Sequence, residues 1–310
     1  MQPLTLKTAI ATYGHTRASK DGTVAPEGAS LDHVEVSPII AAFRRMVRTA
    51  EFDVSEMALS TYLCARAHGK PMTAIPVFPL RGWQHGAIVC NVKSGITGPK
   101  DLEGRRVGVR AYTVTGGIWV RGFLHAEHGV DLSKVTWVIA DDEHVAEYQE
   151  PKNVVSVPGG DLKAMLLAGE IDAAIGAGPI DSPDVKPLIP NAQAAAVESF
   201  KRTGVYPINH TVVIKNSVLD SQPAIAERLF SAFRRAKDLY MAKLDAGTDL
   251  AEGDQNFIRV RDVVGKDPIP YGVAANRPAL ETMIRFNVEQ GVIPKTLTPE
   301  EMFAPATRDS

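Results

Sequence analysis

The sequence predicts an α/β fold of two lobes, and three observations point there together. Strand-like and helix-like runs alternate as far as Lys215 and give way to mostly helical spacing beyond it. Two stretches share one pattern, RMVRTAEFDVSEMAL at Arg45 to Leu59 and AMLLAGEIDAAIGAG at Ala164 to Gly178. In each, an amphipathic helix ends, an acidic and a large apolar residue follow, and an Asp opens a short apolar strand, as expected of two related α/β halves. Finally, the strand-like runs His85 to Val92 and Asn209 to Lys215 each begin beside a histidine. If one carries the chain out of the first lobe and the other brings it back, they form a hinge of two crossover strands. Residues 1–86 and 212–310 then make the first lobe and 87–211 the second, with a cleft between them.

The elements follow in order. A strand is expected at Leu6 to Thr12. Ser37 is placed to cap a helix that has Pro38 at its first position, with Ile39, Ile40, Phe43, Met46, Val47 and Ala50 as its apolar face. That face must lie on a sheet. Phe52 to Asn91 reads as a strand-like run, a helix, a Pro-broken strand and a second strand. Glu56, Ser60, Arg81 and His85 fall at the edges of its apolar runs. Ligands of open α/β sheets bind outside the carboxyl ends of strands, so these four are the first candidates for a site.

Asp101 to Leu124 reads as a turn, a strand at Arg106 to Arg110, a short loop and a helix from about Gly116. Thr113 and Thr115 are placed to cap that helix, whose first N–H groups make an anion site. Asp141 to Val157, closed by Pro158-Gly159-Gly160, reads as a surface loop. Gly169 is a helix terminator. Ala224 to Leu244 and Pro278 to Gln290, the latter stopped by Gly291, read as helices that return to cover the first lobe.

Composition narrows the partner. The 310 residues carry 34 basic and 36 acidic side chains without long blocks, a formal charge of -2, which favours neither nucleic acid nor an anionic membrane. A small molecule is the expected partner. Cys64 and Cys90 lie in apolar surroundings without metal-ligand spacing, so reduced, buried thiols in a cytoplasmic protein are expected, with a disulfide between them as the alternative. The N-terminal MQPLTLKTAIATYG lacks the basic leader and apolar run of a secretory signal, and no run is long enough to cross a bilayer. There is no His-x-x-x-His, Cys-x-x-Cys, Gly-x-Gly-x-x-Gly or P-loop, so neither metal nor cofactor is expected.

Four segments, FDVSEMALSTYL, AIPVFPLRGWQHGAIVCN, DLEGRRVGVRAYTVTGGIWVRG and the closing GVIPKTLTPEEMFAP, recur together and in order. In them the chain resembles the 4,5-dihydroxyphthalate decarboxylase family from near Leu4 to about Pro305. The resemblance implies a fold like that of type II periplasmic binding proteins, two hinged α/β lobes around a ligand cleft. Its activity would be cofactor-independent decarboxylation of a hydroxylated, phthalate-like acid to a hydroxybenzoate such as protocatechuate. Two departures bear on substrate choice. Where the family commonly has Ser-Arg-x-Phe-Arg-His-Ser, this chain keeps Arg81 and His85 but has Leu80, Trp83 and Gln84; where it has Pro-Glu-Tyr, Arg110, Ala111 and Tyr112 stand.

Such a reaction needs a base for a ring hydroxyl and an acid for the carbon that loses carbon dioxide. His85 and His210, at matching hinge positions, are the expected proton-transfer residues; a hydrogen-bonded structural role is the alternative for each. Glu56 is a further base if burial raises its pKa. Arg81 is expected to hold the retained carboxylate, a charged hydrogen bond contributing about 1.5–3 kcal/mol, with Arg17 and Arg121 as weaker candidates. Ser60, Tyr112, Thr113 and Thr115 would orient substrate oxygens, and Trp83 would stack on the ring or pack the hinge. His33, His68, His125, His128 and His144 are read as exposed and without a role. A second copy of the chain is left open as a partner. The competing reading is a solute-binding protein for an aromatic carboxylate with no catalysis. A third, a relative of pyrimidine-precursor synthases, lacks its distinct His and metal arrangement.

Overall fold

The computed structural model describes residues 4–248, 250 and 253–310. The chain opens with β1 (Leu4–Ala9), α1 (Arg17–Lys20), β2 (Ala29–His33), α2 (Ile40–Thr49), β3 (Val54–Ala58), α3 (Leu59–Ala67) and β4 (Met72–Ile75). There follow β5 (Ile88–Asn91), β6 (Arg106–Val109), α4 (Thr115–His128), β7 (Thr136–Ile139), β8 (Val154–Ser156), α5 (Leu162–Ala168), β9 (Ala173–Ile175), β10 (Val185–Pro187) and α6 (Ala192–Thr203). The return leg is β11 (His210–Lys215), α7 (Asn216–Ser221), α8 (Ile225–Ala246), α9 (Asp254–Val264) and α10 (Arg277–Glu289). No helix among the described residues is long and apolar enough to cross a membrane.

Two compact units result: Met1–Arg81, Ile208–Glu281 and Leu297–Ser310 in the first, Gly82–Pro207 and Thr282–Thr296 in the second. The chain thus leaves the first unit after Arg81 and returns at Ile208, a few residues ahead of the 86/87 and 211/212 boundaries read from the sequence. The C-terminal helices do not all belong to the first unit as expected. The end of α10 joins the second because Phe286 packs on Trp119 and Phe123, and Gln290 accepts from Arg121 Nε at 2.7 Å.

The first unit holds a sheet of order β2-β1-β3-β11-β4, and the second a sheet of order β10-β5-β9-β6-β7-β8. Reversed, the second runs β7-β6-β9-β5-β10 over five of its strands, so β3 and β9 hold the same place. Each lies parallel to one neighbour, β1 or β6, and antiparallel to the other, β11 or β5. The repeated sequence pattern is the cause. In both copies the helix ends on a left-handed residue, Ala50 at φ 47° or Gly169 at φ 76°, and the Asp that follows starts the strand. Asp53 Oδ2 accepts the Lys7 N–H at 2.9 Å, and Asp172 Oδ2 accepts the Arg106 N–H at 2.9 Å. The same two residues donate their own N–H to the Lys7 and Arg106 carbonyls at 2.8 Å. Each Asp therefore clamps the start of its strand to the parallel neighbour through side chain and main chain together.

Packing follows the expected periodicity with local differences. In α2 the buried residues are Ala42, Phe43, Met46 and Val47, the face that meets β3, itself buried throughout. Ser37 is not the cap. The Ala41 and Ala42 N–H groups turn back onto the Pro38 and Ile39 carbonyls, and the helix opens at Ile40. In the second unit Val138, Met165, Leu166, Ile171 and Ala174 form a buried cluster under the sheet. The stretch read as a surface loop contains β8 and buries Glu143, His144 and Val145, so His144 is not exposed as expected. Cys64 and Cys90 are buried thiols that are not joined in a disulfide.

Gly122 marks the tightest packing of α4: a Cβ there would lie 2.0 Å from the Phe286 ring, itself buried against Trp119 and Phe123. Gly122→Ala gains about 1 kcal/mol of helix propensity but overpacks a filled site, at about 1–3 kcal/mol. We expect a net loss of stability in urea unfolding. An unchanged or higher midpoint would mean that the Phe286 ring moves aside freely.

Candidate active site

In the first unit the β3–β11 ladder does the positioning. Its antiparallel register pairs His210 with Ala58 and Val212 with Glu56, which makes His210 and Glu56 diagonal neighbours on one face. Their side chains meet at 2.5 Å, His210 Nδ1 to Glu56 Oε1. Tyr13 Oη donates to the same carboxyl oxygen at 2.7 Å, and the Ala11 N–H to the other at 2.9 Å. Glu56 is wholly buried. Burial pushes its pKa up, but the His210 hydrogen bond and charge, the Ala11 N–H and the Tyr13 hydroxyl outweigh it, and the net shift is downward. The rise expected of Glu56 as a base is therefore reversed: it is an ionised carboxylate that orients His210. The Phe43 ring stands edge-on against the imidazole, centroids 4.9 Å apart. With Nδ1 committed to Glu56 and the side chain 14% exposed, Nε2 is the nitrogen left for proton exchange.

Arg81 belongs to the same neighbourhood. The Leu80 carbonyl accepts the Asn209 and His210 N–H groups at 2.9 and 3.0 Å, and Arg81 forms a bridge with Ile208. Its buried guanidinium donates through Nη1 to Asn276 Oδ1 at 2.7 Å, and Asn276 donates in turn to the Pro270 and Gly272 carbonyls. Ser60 is buried at the start of α3, whereas Arg17 is exposed.

His15, which has no expected role, is fully buried behind this group. It stacks on Tyr13 at 5.4 Å and is met edge-on by Tyr240, Phe257 and Tyr271. Burial lowers its pKa to about 4, against the opposing pull of the Pro79 carbonyl, so it is neutral in the fold. The Tyr13 hydroxyl is shifted upward by burial and by Glu56, which keeps it a donor.

The remaining expected residues lie in the second unit. His85 is buried, stacks on Phe123 at 4.3 Å and meets Glu127 Oε2 through Nε2 at 3.1 Å. Trp83 packs on Tyr206 and Phe200, and Gln84 donates to the Gly82 carbonyl at 3.0 Å. The loop ahead of α4 is tied to an internal carboxylate. Glu143 accepts from the Tyr112 and Thr113 N–H groups and the Thr113 hydroxyl. Neither Thr113 nor Thr115 caps the helix, for which Val114 is the N-cap residue. Arg121, expected to bind substrate, is wholly buried. It donates to the Tyr112 carbonyl and Gln290 and stacks over Tyr112 at 4.0 Å and Trp137 at 5.2 Å. Its geometry is that of a clamp on the Tyr112 loop.

A cavity of about 490 Å³ in the second unit is lined by Gly86, Ala87, Gly176, Ala177, Pro179 and Lys186 among others. None of the expected site residues lines it, although Gly86 adjoins His85. Among the described residues no group of three or more His, Cys, Asp or Glu side chains is arranged to hold a metal ion.

A 4,5-dihydroxyphthalate decarboxylase from Comamonas testosteroni is 32% identical over 329 aligned positions, covering 100% of this chain and 99% of the relative. The chain belongs to the 4,5-dihydroxyphthalate decarboxylase family. A second family member, from Pseudomonas putida, is 36% identical over 185 residues, 57% of this chain and 71% of the relative. Residues 41–245 also match the family described as NMT1/THI5 like. Among solved structures, the periplasmic aliphatic sulphonate binding protein SsuA from Escherichia coli is similar at a TM-score of 0.55 and 12% identity, covering 99% of both chains. That likeness is one of fold. The fold of this decarboxylase-family chain is accordingly the two-lobed type II periplasmic-binding-protein-like one that the sequence predicts.

The low pKa of His15 has a measurable consequence. Its folded value of about 4 lies below the ordinary 6.5, so its contribution to stability is complete above pH 6.5 and is lost as the pH falls to 4. One such group adds a slope of up to about 1.4 kcal/mol per pH unit. Urea unfolding from pH 7 to pH 4.5 should therefore show a shallower loss for His15→Gln than for the wild type, leaving what His33, also lowered by burial, contributes. Glu56 acts only below that window, its folded pKa lying under the ordinary carboxylate value. Equal slopes for the two proteins would contradict a neutral His15.

Proposed function

We propose that this protein removes one carboxyl group from 4,5-dihydroxyphthalate or a close relative, without a cofactor, giving a hydroxybenzoate such as protocatechuate and carbon dioxide. The observation that carries this reading is His210 paired with the buried Glu56 in a chain related over its full length to such a decarboxylase. The partner is a small aromatic acid. The buried thiols of Cys64 and Cys90, not joined in a disulfide, support a reducing, cytoplasmic location.

In the proposed reaction, His210 Nε2 takes the proton of the ring hydroxyl para to the departing carboxylate. The oxygen's electron pair moves into the ring, and the carbon bearing that carboxylate accepts a proton from an acid, the role given to His85. The bond to the carboxylate then breaks, its electron pair restores the aromatic ring, carbon dioxide leaves, and the oxygen recovers its proton from His210. Glu56 stabilises the imidazolium formed in between and holds the ring with Nε2 outward, as a buried carboxylate does for a catalytic histidine. Arg81 is the residue proposed to hold the carboxylate that stays.

Carbon dioxide release by purified, chelator-treated protein over a panel of hydroxylated phthalates and benzoates tests the reading. We expect turnover of 4,5-dihydroxyphthalate or a near relative, and a kcat about 100-fold lower or less in His210→Ala. Arg81→Ala should chiefly raise KM. Binding across the panel without turnover would overturn the decarboxylase reading in favour of a solute-binding protein. Undiminished kcat in His210→Ala would overturn the base assignment alone.

A further inference from the structure

His85 has a carboxylate of its own, supplied by a residue that its position in the sequence does not betray. Glu127 lies near the C-terminal end of α4, and its Oε2 meets His85 Nε2 at 3.1 Å. Its other oxygen is held from α6, where Ser199 and Arg202 stand three residues apart and so share a helix face. Ser199 Oγ donates to Oε1 at 2.5 Å and Arg202 Nη2 at 3.1 Å. Both carboxyl oxygens therefore have donors, and the group as a whole is only 15% exposed on its side chain.

On the imidazole the consequence is a fixed tautomer. A carboxylate accepts only, so the proton of neutral His85 sits on Nε2 and the lone pair on Nδ1. Nδ1 is buried and has no hydrogen-bond partner among the described residues. The Phe123 ring, stacked at 4.3 Å, sets the plane of the imidazole. A buried ring nitrogen with its partner nitrogen pinned and its own lone pair unmatched is costly to the fold and useful to chemistry.

We propose that Glu127, held by Ser199 and Arg202, is a positioning residue for His85, fixing one proton on Nε2 so that Nδ1 is the nitrogen that takes up a second proton and, as the acid, gives it away. This rests on the reading above, in which His85 is a proton-transfer residue. Glu127 does for His85 what Glu56 does for His210, from a helix instead of a strand. Burial raises the Glu127 pKa, but the His85 and Ser199 hydrogen bonds and the charges of His85 and Arg202 bring it below the ordinary carboxylate value, so the acceptor is ionised. A staple joining α4 to α6 would need the same contacts but would leave kcat alone.

The test combines two readouts on the full chain. Nitrogen-15 NMR of the histidine rings, with His85 assigned by its loss in His85→Gln, reads the tautomer without any substrate. The wild type should show Nε2–H and bare Nδ1 in neutral His85, and Glu127→Ala a mixture of tautomers. Steady-state kinetics on 4,5-dihydroxyphthalate should show kcat about 10- to 100-fold lower in Glu127→Ala with KM within about twofold, and partial recovery in Glu127→Gln, which keeps an acceptor oxygen. Should Glu127→Ala not fold, the wild-type spectrum and Glu127→Gln carry the test. An Nδ1–H tautomer in the wild type, or wild-type kcat in a folded Glu127→Ala, would overturn the proposal. Absence of turnover by the wild type would sink the decarboxylase reading, while the NMR result would still decide whether Glu127 fixes the ring.

Discussion

A carboxylate buried at the centre of a sheet is the constraint from which the first unit's polar chemistry follows. Glu56 lies on β3 with no solvent exposure, and an isolated carboxylate there would cost several kcal/mol. It is tolerable only because three donors from two separate segments converge on it: the Ala11 N–H and Tyr13 hydroxyl from the chain after β1, and the His210 ring from β11. Removing one partner of such a group typically costs about 3–5 kcal/mol. The arrangement that satisfies the charge is also the one that sets the tautomer of His210, ties the Tyr13 loop to the sheet and brings Tyr13 against the neutral His15.

The frame that holds this group is built twice. Asp53 and Asp172 make the same paired hydrogen bonds to a parallel neighbour, and the two sheets share a five-strand order around β3 and β9. The chain leaves one unit after Arg81 and returns at Ile208, so each passage lies within a few residues of a histidine. Each of these histidines, His85 and His210, has a carboxylate on one ring nitrogen. The partners come from different elements, Glu127 from α4 and Glu56 from β3. The likeness is therefore one of chemistry and not of the underlying repeat.

Much of the frame was legible in the sequence because it is local. The helix, left-handed cap and Asp of each junction occupy a dozen consecutive residues, and the apolar faces of α2, α8 and α10 follow from helical spacing alone. The His210–Glu56 pairing was half legible: both residues stand out at strand edges, but the register that makes them diagonal neighbours spans 154 positions. What could not be read was the number of donors around each polar group. Glu56 as a base with a raised pKa follows from burial alone, and the donors that reverse the shift come from Ala11, Tyr13 and His210. Arg121 and Thr113 looked like ligands for substrate because nothing in the sequence places Gln290 or Glu143 beside them. Tyr13, His15, Glu127 and Ser199 carry no local signal beyond their residue type; only tertiary contact gives them roles.

Glu56 is an ionised carboxylate, held so by its donors, and His210 Nδ1 is one of them. Infrared difference spectroscopy through an acid titration tests it most directly, the Glu56 band being identified by its loss in Glu56→Gln. A carboxylate band is expected at neutral pH and should persist on acidification to below the ordinary glutamate range. The carbonyl band of a protonated carboxylic acid at neutral pH would contradict it.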